Sequence, residues 1–249
     1  MKLELQDLSV LRGECPVVDA VSAQVSPGEL IGLIGPNGAG KTSLMRAAMG
    51  LLAHRGHSSL ARLDPMARAR AAAWLPQARE IAWGLSVEEL VGLGRLPHGR
   101  DQTGAGRAAL NEALHRMGLE AMRARPATRL SGGEQARVLI ARALAQESPL
   151  ILADEPIAGL DPAAQIDTME VFAAHAGAGG AVLCSLHDLG LAARHCTRIW
   201  VMDRGRLVAD GPPDQVLSEQ LLADVFHIRA RFMTTPDGPV FQPLSTLHR

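Results

Sequence analysis

Hydrophobic and polar positions along this chain change period several times, and each change marks an element. Leu3, Leu5 and Leu8 fall on a first strand, a turn follows near Gly13, and Val17-Val18 and Val21 to Val25 lie on later strands. Ser26-Pro27-Gly28-Glu29 then turns the chain, so residues 1–30 read as an antiparallel β opening. The apolar run Leu30-Ile31-Gly32-Leu33-Ile34 predicts a buried strand, and Ser43 to Met49 has helical character. His54-Arg55-Gly56-His57 ends that pattern, a helical run surrounds Pro65 to Ala71, and Ala73-Trp74-Leu75 is a short strand stopped by Pro76. Residues 84–129 look helical throughout: Ser86 caps Val87 to Val91, a break falls at Gly94 to Gly99, and helical spacing returns from Ala108 to Met117.

The second half alternates more regularly. Ser131 opens a strong helix running through Ala136 to Ala145, and Pro149-Leu150-Ile151-Leu152-Ala153 is an apolar strand. A helix from Ala163 to about His175 separates it from the next strand, Ala181 to Leu186. Strands at Ile199 to Met202 and Leu207 to Ala209, a helical pair from Pro213 to Val225 and a small β element from Arg229 to Gln242 complete the chain. Strands alternating with helices imply an α/β fold with a mostly parallel sheet. The helical block interrupts that alternation. It is therefore expected to be an inserted helical subdomain, residues 84–144, between two parts of one core, 31–83 and 145–249.

Candidate chemistry gathers where strands end. After Ile34 comes Gly35-Pro36-Asn37-Gly38-Ala39-Gly40-Lys41-Thr42, a strand, glycine-rich loop and helix start. Its glycines let backbone N–H groups turn inward around phosphates, and the helix adds its positive dipole end. Lys41 reaches the β- and γ-phosphates and the Thr42 hydroxyl holds Mg²⁺, with Ser43 next in line. Gln77 closes the strand after Trp74 as a polar ligand candidate. The strand at Ile151 ends in Asp154-Glu155, adjacent carboxylates whose repulsion a metal would relieve, Asp154 facing Mg²⁺ and Glu155 taking a proton from water. His187 ends the strand after Cys184, in the same kind of position. Ser131-Gly132-Gly133-Glu134 is both a capping box and an unshielded helix N-terminus, a second anion site.

Composition narrows the class without changing this picture. A chain of 249 residues is long enough for one large α/β domain, and a formal charge of -1 offers no field for gathering nucleic acid or anionic lipid. Arginine carries nearly all the positive charge, and Lys2 and Lys41 are the only lysines. Cys15, Cys184 and Cys196 have no CxxC spacing, which speaks against a disulfide framework or zinc site and for a reducing compartment. No run approaches the length of about eighteen apolar residues that a membrane helix needs.

Taken in order, these motifs resemble the nucleotide-binding subunits of ATP-binding cassette (ABC) transporters, over nearly the whole chain. Gly35 to Thr42 resembles the Walker A loop, Gln77 the Q-loop glutamine, and Leu130 to Gln135 the signature LSGGQ with Glu134 in place of its glutamine. Leu150 to Glu155 resembles Walker B with the catalytic glutamate, Leu160-Asp161 the D-loop, and His187 the switch histidine. The resemblance implies a P-loop NTPase core of mostly parallel sheet with an antiparallel β subdomain and an inserted helical one. It also implies ATP and Mg²⁺, the latter held by Thr42, Gln77 and Asp154, catalysis by Glu155, His187 and Gln77, Glu134 and Asp161 among the nucleotide-binding residues, and a homodimer in which Ser131, Gly132 and Gly133 of one copy close on the ATP of the other. His187 is expected to hydrogen-bond the γ-phosphate.

Within that family, Val91-Gly92-Leu93-Gly94-Arg95-Leu96-Pro97-His98 is similar to a stretch in importers of iron-siderophore, haem and cobalamin type. That implies an integral membrane permease, a periplasmic or surface binding protein, and a peripheral place on the cytoplasmic face of a bacterial inner membrane. Two features depart from the family pattern. The adenine-stacking aromatic before the first turn is replaced by Val10-Leu11-Arg12-Gly13, which makes the Arg12 guanidinium the expected platform. The segment between Leu52 and Trp74 is short, so a β-hairpin is expected to be trimmed. A soluble ABC ATPase or a nucleotide sensor is the alternative to transport.

Overall fold

In the computed structural model, which describes residues 2–78, 80–81, 84–99 and 104–247, the apolar runs become the strands of one central sheet. Strands β1 (Leu3–Arg12) and β2 (Cys15–Val25) form the opening hairpin, and β3 (Leu30–Ile34) leads into α1 (Lys41–Ala48). Next come β4 (Arg55–Ser58), α2 (Pro65–Ala71) and β5 (Ala72–Leu75). The helical stretch holds α3 (Val87–Gly92), a 3₁₀ turn over Leu93–His98, α4 (Gly104–Arg116) and α5 (Gly132–Ala145). After it follow β6 (Leu150–Ala153), α6 (Pro162–Gly177), β7 (Ala181–Ser185) and α7 (Leu189–His195). The chain closes with β8 (Arg198–Asp203), β9 (Arg206–Gly211), α8 (Pro213–Val216), α9 (Glu219–Phe226) and the hairpin β10 (Ile228–Thr235) and β11 (Gly238–Thr246).

The central sheet has the order β5-β6-β7-β3-β8-β9. Every neighbouring pair is parallel except β8 and β9, so the carboxyl ends of β5, β6, β7 and β3 all meet one edge. Both faces are covered, which is why β3 and β6 read as unbroken apolar runs. Leu30 and Ile34 of β3 and Ile151 and Ala153 of β6 face a core shared with the helices. Ile31, Leu33, Leu150 and Leu152 face the other way, toward α1 and the sheet β2-β1-β4. No helix among the described residues is long and apolar enough to cross a membrane.

Three details differ from the sequence reading. The two strands expected around Val17-Val18 and Val21 to Val25 are one strand, β2, kinked at Ala20, whose φ is 48°. That left-handed residue inserts an extra step, so Val18 and Val21 are both buried although they stand three apart. Asp7, also at φ 48°, does the same for Leu5 and Leu8. The stretch from His54 to His57, read as a break, contributes β4, which pairs antiparallel with β1. It lacks apolar alternation because the backbone holds it: Gly56 has a φ of 80°, and a Cβ there would lie 2.2 Å from the Asp7 carbonyl oxygen. The break at Gly94 to Gly99 is largely the 3₁₀ turn that prolongs α3.

Two histidines on the helices give the fold a pH dependence. Burial, aided by the Arg116 charge, holds the His175 imidazole below its ordinary value of 6.5, with the Pro149 carbonyl opposing. Burial also lowers His195, against the charge of Glu170. A neutral imidazole favoured in the folded state adds stability above the unfolded value, and that stability is lost as pH falls through the lowered folded value. His115, raised by its hydrogen bond to Glu120, acts in the opposite sense but is fully exposed. The urea midpoint is therefore expected to drop from about pH 7.5 to about pH 5.5, and His175→Gln with His195→Gln to flatten that drop. An unchanged pH slope in the double variant is the contrary result.

Candidate active site

The loop after β3 is wedged between two neighbouring strands. Gly35 and Gly40 take φ values of 150° and 101°, and a Cβ on either would meet backbone oxygen, Met202 O at 2.2 Å and Val17 O at 2.3 Å. The Ala39 carbonyl accepts the Gly205 N–H at 3.0 Å, tying the loop to the β8–β9 turn. Held this way, the N–H groups of Gly38, Gly40, Lys41, Thr42 and Ser43 have no acceptor among the described residues. They form a concave nest of donors at the start of α1, suited to an anion. Asn37 and Gly38 are exposed at its rim, and Pro36 is half-buried.

Lys41 is buried, and its ammonium donates to the carbonyls of Gly35 at 2.7 Å and Pro36 at 3.1 Å. Burial lowers its pKa, while the charges of Glu155 and Asp154 oppose that shift. Loop and acids thus share one electrostatic neighbourhood. Asp154 is itself buried, and its N–H donates to the Leu75 carbonyl at 2.8 Å, anchoring it to the end of β5. Its Oδ1 accepts the Ser185 hydroxyl at 2.7 Å, while its buried Oδ2 has no partner among the described residues.

Glu155 adopts a left-handed φ of 49°. Such a conformation in a residue with a long side chain costs about 1–2 kcal/mol. Strain of this kind collects at functional sites. The Glu155 N–H donates to Ser185 Oγ at 2.8 Å, and Oε1 lies 2.7 Å from His187 Nε2. His187, expected at a γ-phosphate, is hydrogen-bonded in this structure to the second acid. The pair stands beside a cleft of about 580 Å³ lined by Gly35, Pro36, Asn37, His187 and Phe226. A hollow of about 810 Å³ around Ala109, Leu144 and His175 holds none of these residues. The chemistry lies on an open rim.

The remaining predicted residues are placed less tightly. Gln77 lies exposed in the bend two residues beyond β5. Arg12 is exposed at the end of β1, across from Cys15. Asp161 caps α6, its Oδ1 accepting the Ala164 N–H at 2.9 Å. Ser131 and Glu134 form the predicted capping box on α5: Ser131 N–H donates to Glu134 Oε2 at 2.7 Å, and Glu134 N–H to Ser131 Oγ at 3.3 Å. The Ser131 N–H, helped by the Ser131 hydroxyl, holds the Glu134 carboxyl below its ordinary value. The N–H groups of Gly132 and Gly133 have no acceptor among the described residues, and no atom would crowd a Cβ on Gly132. Ser185 was missed. Its one signal was a polar residue ending the apolar strand β7, two before His187.

Divalent cation chemistry fits these residues. Asp154 Oδ2 is a desolvated carboxylate oxygen lacking a partner, and Thr42 follows the buried lysine on the same helix. No group of three or more His, Cys, Asp or Glu among the described residues could hold a metal by itself. That suits a magnesium ion that keeps phosphate and water as its other ligands.

A donor nest at the helix start after β3, a buried lysine and paired acids at the end of β6, one strand beyond β7 in the same parallel sheet, define a P-loop nucleotide hydrolase. Residues 18–158 match the ABC transporter family, and the chain belongs to that family as an ATP-binding ATPase. It is similar to the hemin import ATP-binding protein HmuV of Pseudomonas fluorescens, 40% identical over 94% of this chain and 96% of that one. The cobalamin import ATP-binding protein BtuD of Halobacterium salinarum is 38% identical over 95% of this chain and 61% of that longer one. Among solved structures, a dimeric post-hydrolysis state of an ATP-binding cassette with ADP and phosphate bound superposes with a TM-score of 0.76 at 25% identity. That match covers 85% of this chain and 98% of that one.

Proposed function

We propose that this chain is the ATPase subunit of an importer for a metal chelate of the haem class, working as a homodimer beneath a separate membrane permease. The observation that carries the reading is the pair of donor sets lacking acceptors, one in the loop before Ser43 and one at Gly132 and Gly133 on α5. They belong to different elements, and a γ-phosphate can satisfy both only if the α5 terminus of a second copy closes over the loop. Each charge-assisted hydrogen bond formed on closure is worth about 1.5–3 kcal/mol before ordering costs, and those to the γ-phosphate vanish on hydrolysis. ATP therefore joins two copies, and its cleavage releases them.

In the closed site, Glu155 accepts the proton of the attacking water, and His187 holds that carboxylate and reaches the γ-phosphate. Lys41 and the loop N–H groups bear the charge of the β- and γ-phosphates. Thr42, Asp154 and Gln77 would hold Mg²⁺, which supplies charge neutralisation at the phosphates when bound. The exposed Arg12 takes the face of the adenine. Gln77, on the bend after β5, links the site to the surface that receives the permease. The subunit sits peripherally on the cytoplasmic face of the inner membrane, with a periplasmic or surface binding protein delivering cargo on the other side. Nucleic acid has no role.

The likeness to hemin and cobalamin import proteins supports the cargo class, and haem is the first candidate. The test is reconstitution in vesicles with a permease and binding protein of a haem importer from the same organism. ATP-dependent haem accumulation, with ATPase stimulated by the permease, is expected. Uptake of cobalamin or a ferric siderophore instead would change the cargo within the class. ATPase indifferent to any permease would favour a soluble ATPase or nucleotide sensor.

A further inference from the structure

The hydroxyl of Ser185 is fully buried at the carboxyl end of β7 and touches both acids. Its two bonds have forced directions. A backbone N–H only donates, so Ser185 Oγ accepts from Glu155 at 2.8 Å, and its single proton goes to Asp154 Oδ1 at 2.7 Å. The first bond pins the backbone of Glu155 in its left-handed turn, φ 49°, which swings the side chain toward His187 Nε2. The second occupies Oδ1 of Asp154, whose N–H is already fixed to the Leu75 carbonyl. Only Oδ2 is then left without a partner. Ser185 also lies opposite Leu33 of β3, so the strand that carries it is paired to the strand that delivers the phosphate loop.

We propose that Ser185 is a positioning residue for ATP hydrolysis: its hydroxyl turns Asp154 Oδ2 toward the divalent cation and sets the Glu155 carboxylate for the attacking water. This rests on the reading of Asp154 as the cation-facing acid and Glu155 as the base. The second partner of a metal-facing carboxylate typically controls metal affinity or activity by about 10–100-fold.

The test uses Ser185→Ala and the shape-preserving Ser185→Cys, whose thiol is a weak hydrogen-bonding group. Free Mn²⁺ is read by electron paramagnetic resonance in the presence of a non-hydrolysable ATP analogue, and analogue affinity is read separately with all metal chelated. Both variants are expected to weaken Mn²⁺ binding and lower kcat by about tenfold or more, leaving KM and metal-free nucleotide affinity near wild type. Wild-type Mn²⁺ affinity in the folded variants overturns the proposal, as does metal-free nucleotide affinity falling in parallel, since that marks general damage. Should Ser185→Ala not fold, Ser185→Cys decides alone. Asp154→Asn separates the two failures. If it keeps wild-type Mn²⁺ affinity, the cation reading is wrong. If it loses Mn²⁺ while the Ser185 variants keep it, only the role of Ser185 falls.

Discussion

Replacing Glu155 by glutamine is expected to lower kcat by about 10²–10⁴-fold, the usual worth of a positioned general base. Glutamine keeps the shape of the side chain, its own N–H bond to Ser185 and an oxygen for the neighbouring His187. What it loses is the capacity to take a proton, so the effect belongs to the chemical step. The substitution also removes a negative charge that acts on Lys41 and so faces the phosphates. ATP affinity is accordingly expected to hold or tighten, and the ATP-bound dimer to accumulate on size exclusion. Phosphate release at the wild-type rate would reject Glu155 as the base. A variant that neither turns over nor dimerises with ATP would place its role in assembly.

Mixing two inactive subunits is expected to restore ATPase activity. Lys41→Ala removes the buried ammonium at the loop, and Ser131→Arg drives a long side chain into the cap of α5. Each homodimer is then broken at both sites. In a mixed dimer the intact loop of one copy faces the intact α5 terminus of the other, giving one complete site. If subunits exchange freely, about a quarter of wild-type activity is the ceiling, because half the dimers are mixed and each has one working site of two. Mixtures as inactive as the separate variants, under conditions where exchange is verified, would contradict a site built from two chains.

What could be read directly from the residues was local. The loop from Gly35 to Thr42 is legible because a strand, three turn-forming glycines and a helix start must be consecutive for the backbone to wrap a phosphate. Capping of α5 is legible for the same reason, since Ser131 and Glu134 are three residues apart and bond to each other. The kinks at Asp7 and Ala20 were not. Neither is a glycine, and their left-handed φ is fixed by the partner strand and by the serine hydroxyls of Ser22 and Ser9, which accept their N–H groups. Strand β4 was hidden because its pairing with β1 needs backbone groups rather than an apolar face.

Residue order alone sets out the candidate chemistry: a glycine-rich loop, two acids and a histidine each at the end of an apolar strand, with a capped helix as a second donor set. These depend on residues close together in the chain, where propensity and spacing suffice. Which of them meet is set by how the strands pack. The order β6-β7-β3 sets Asp154, Ser185 and the loop side by side, so that the serine hydroxyl bridges both acids across 31 and 30 positions of chain. The histidine finds Glu155 across 32. Contacts at that separation follow from strand order and register, which side-chain pattern along one chain does not encode.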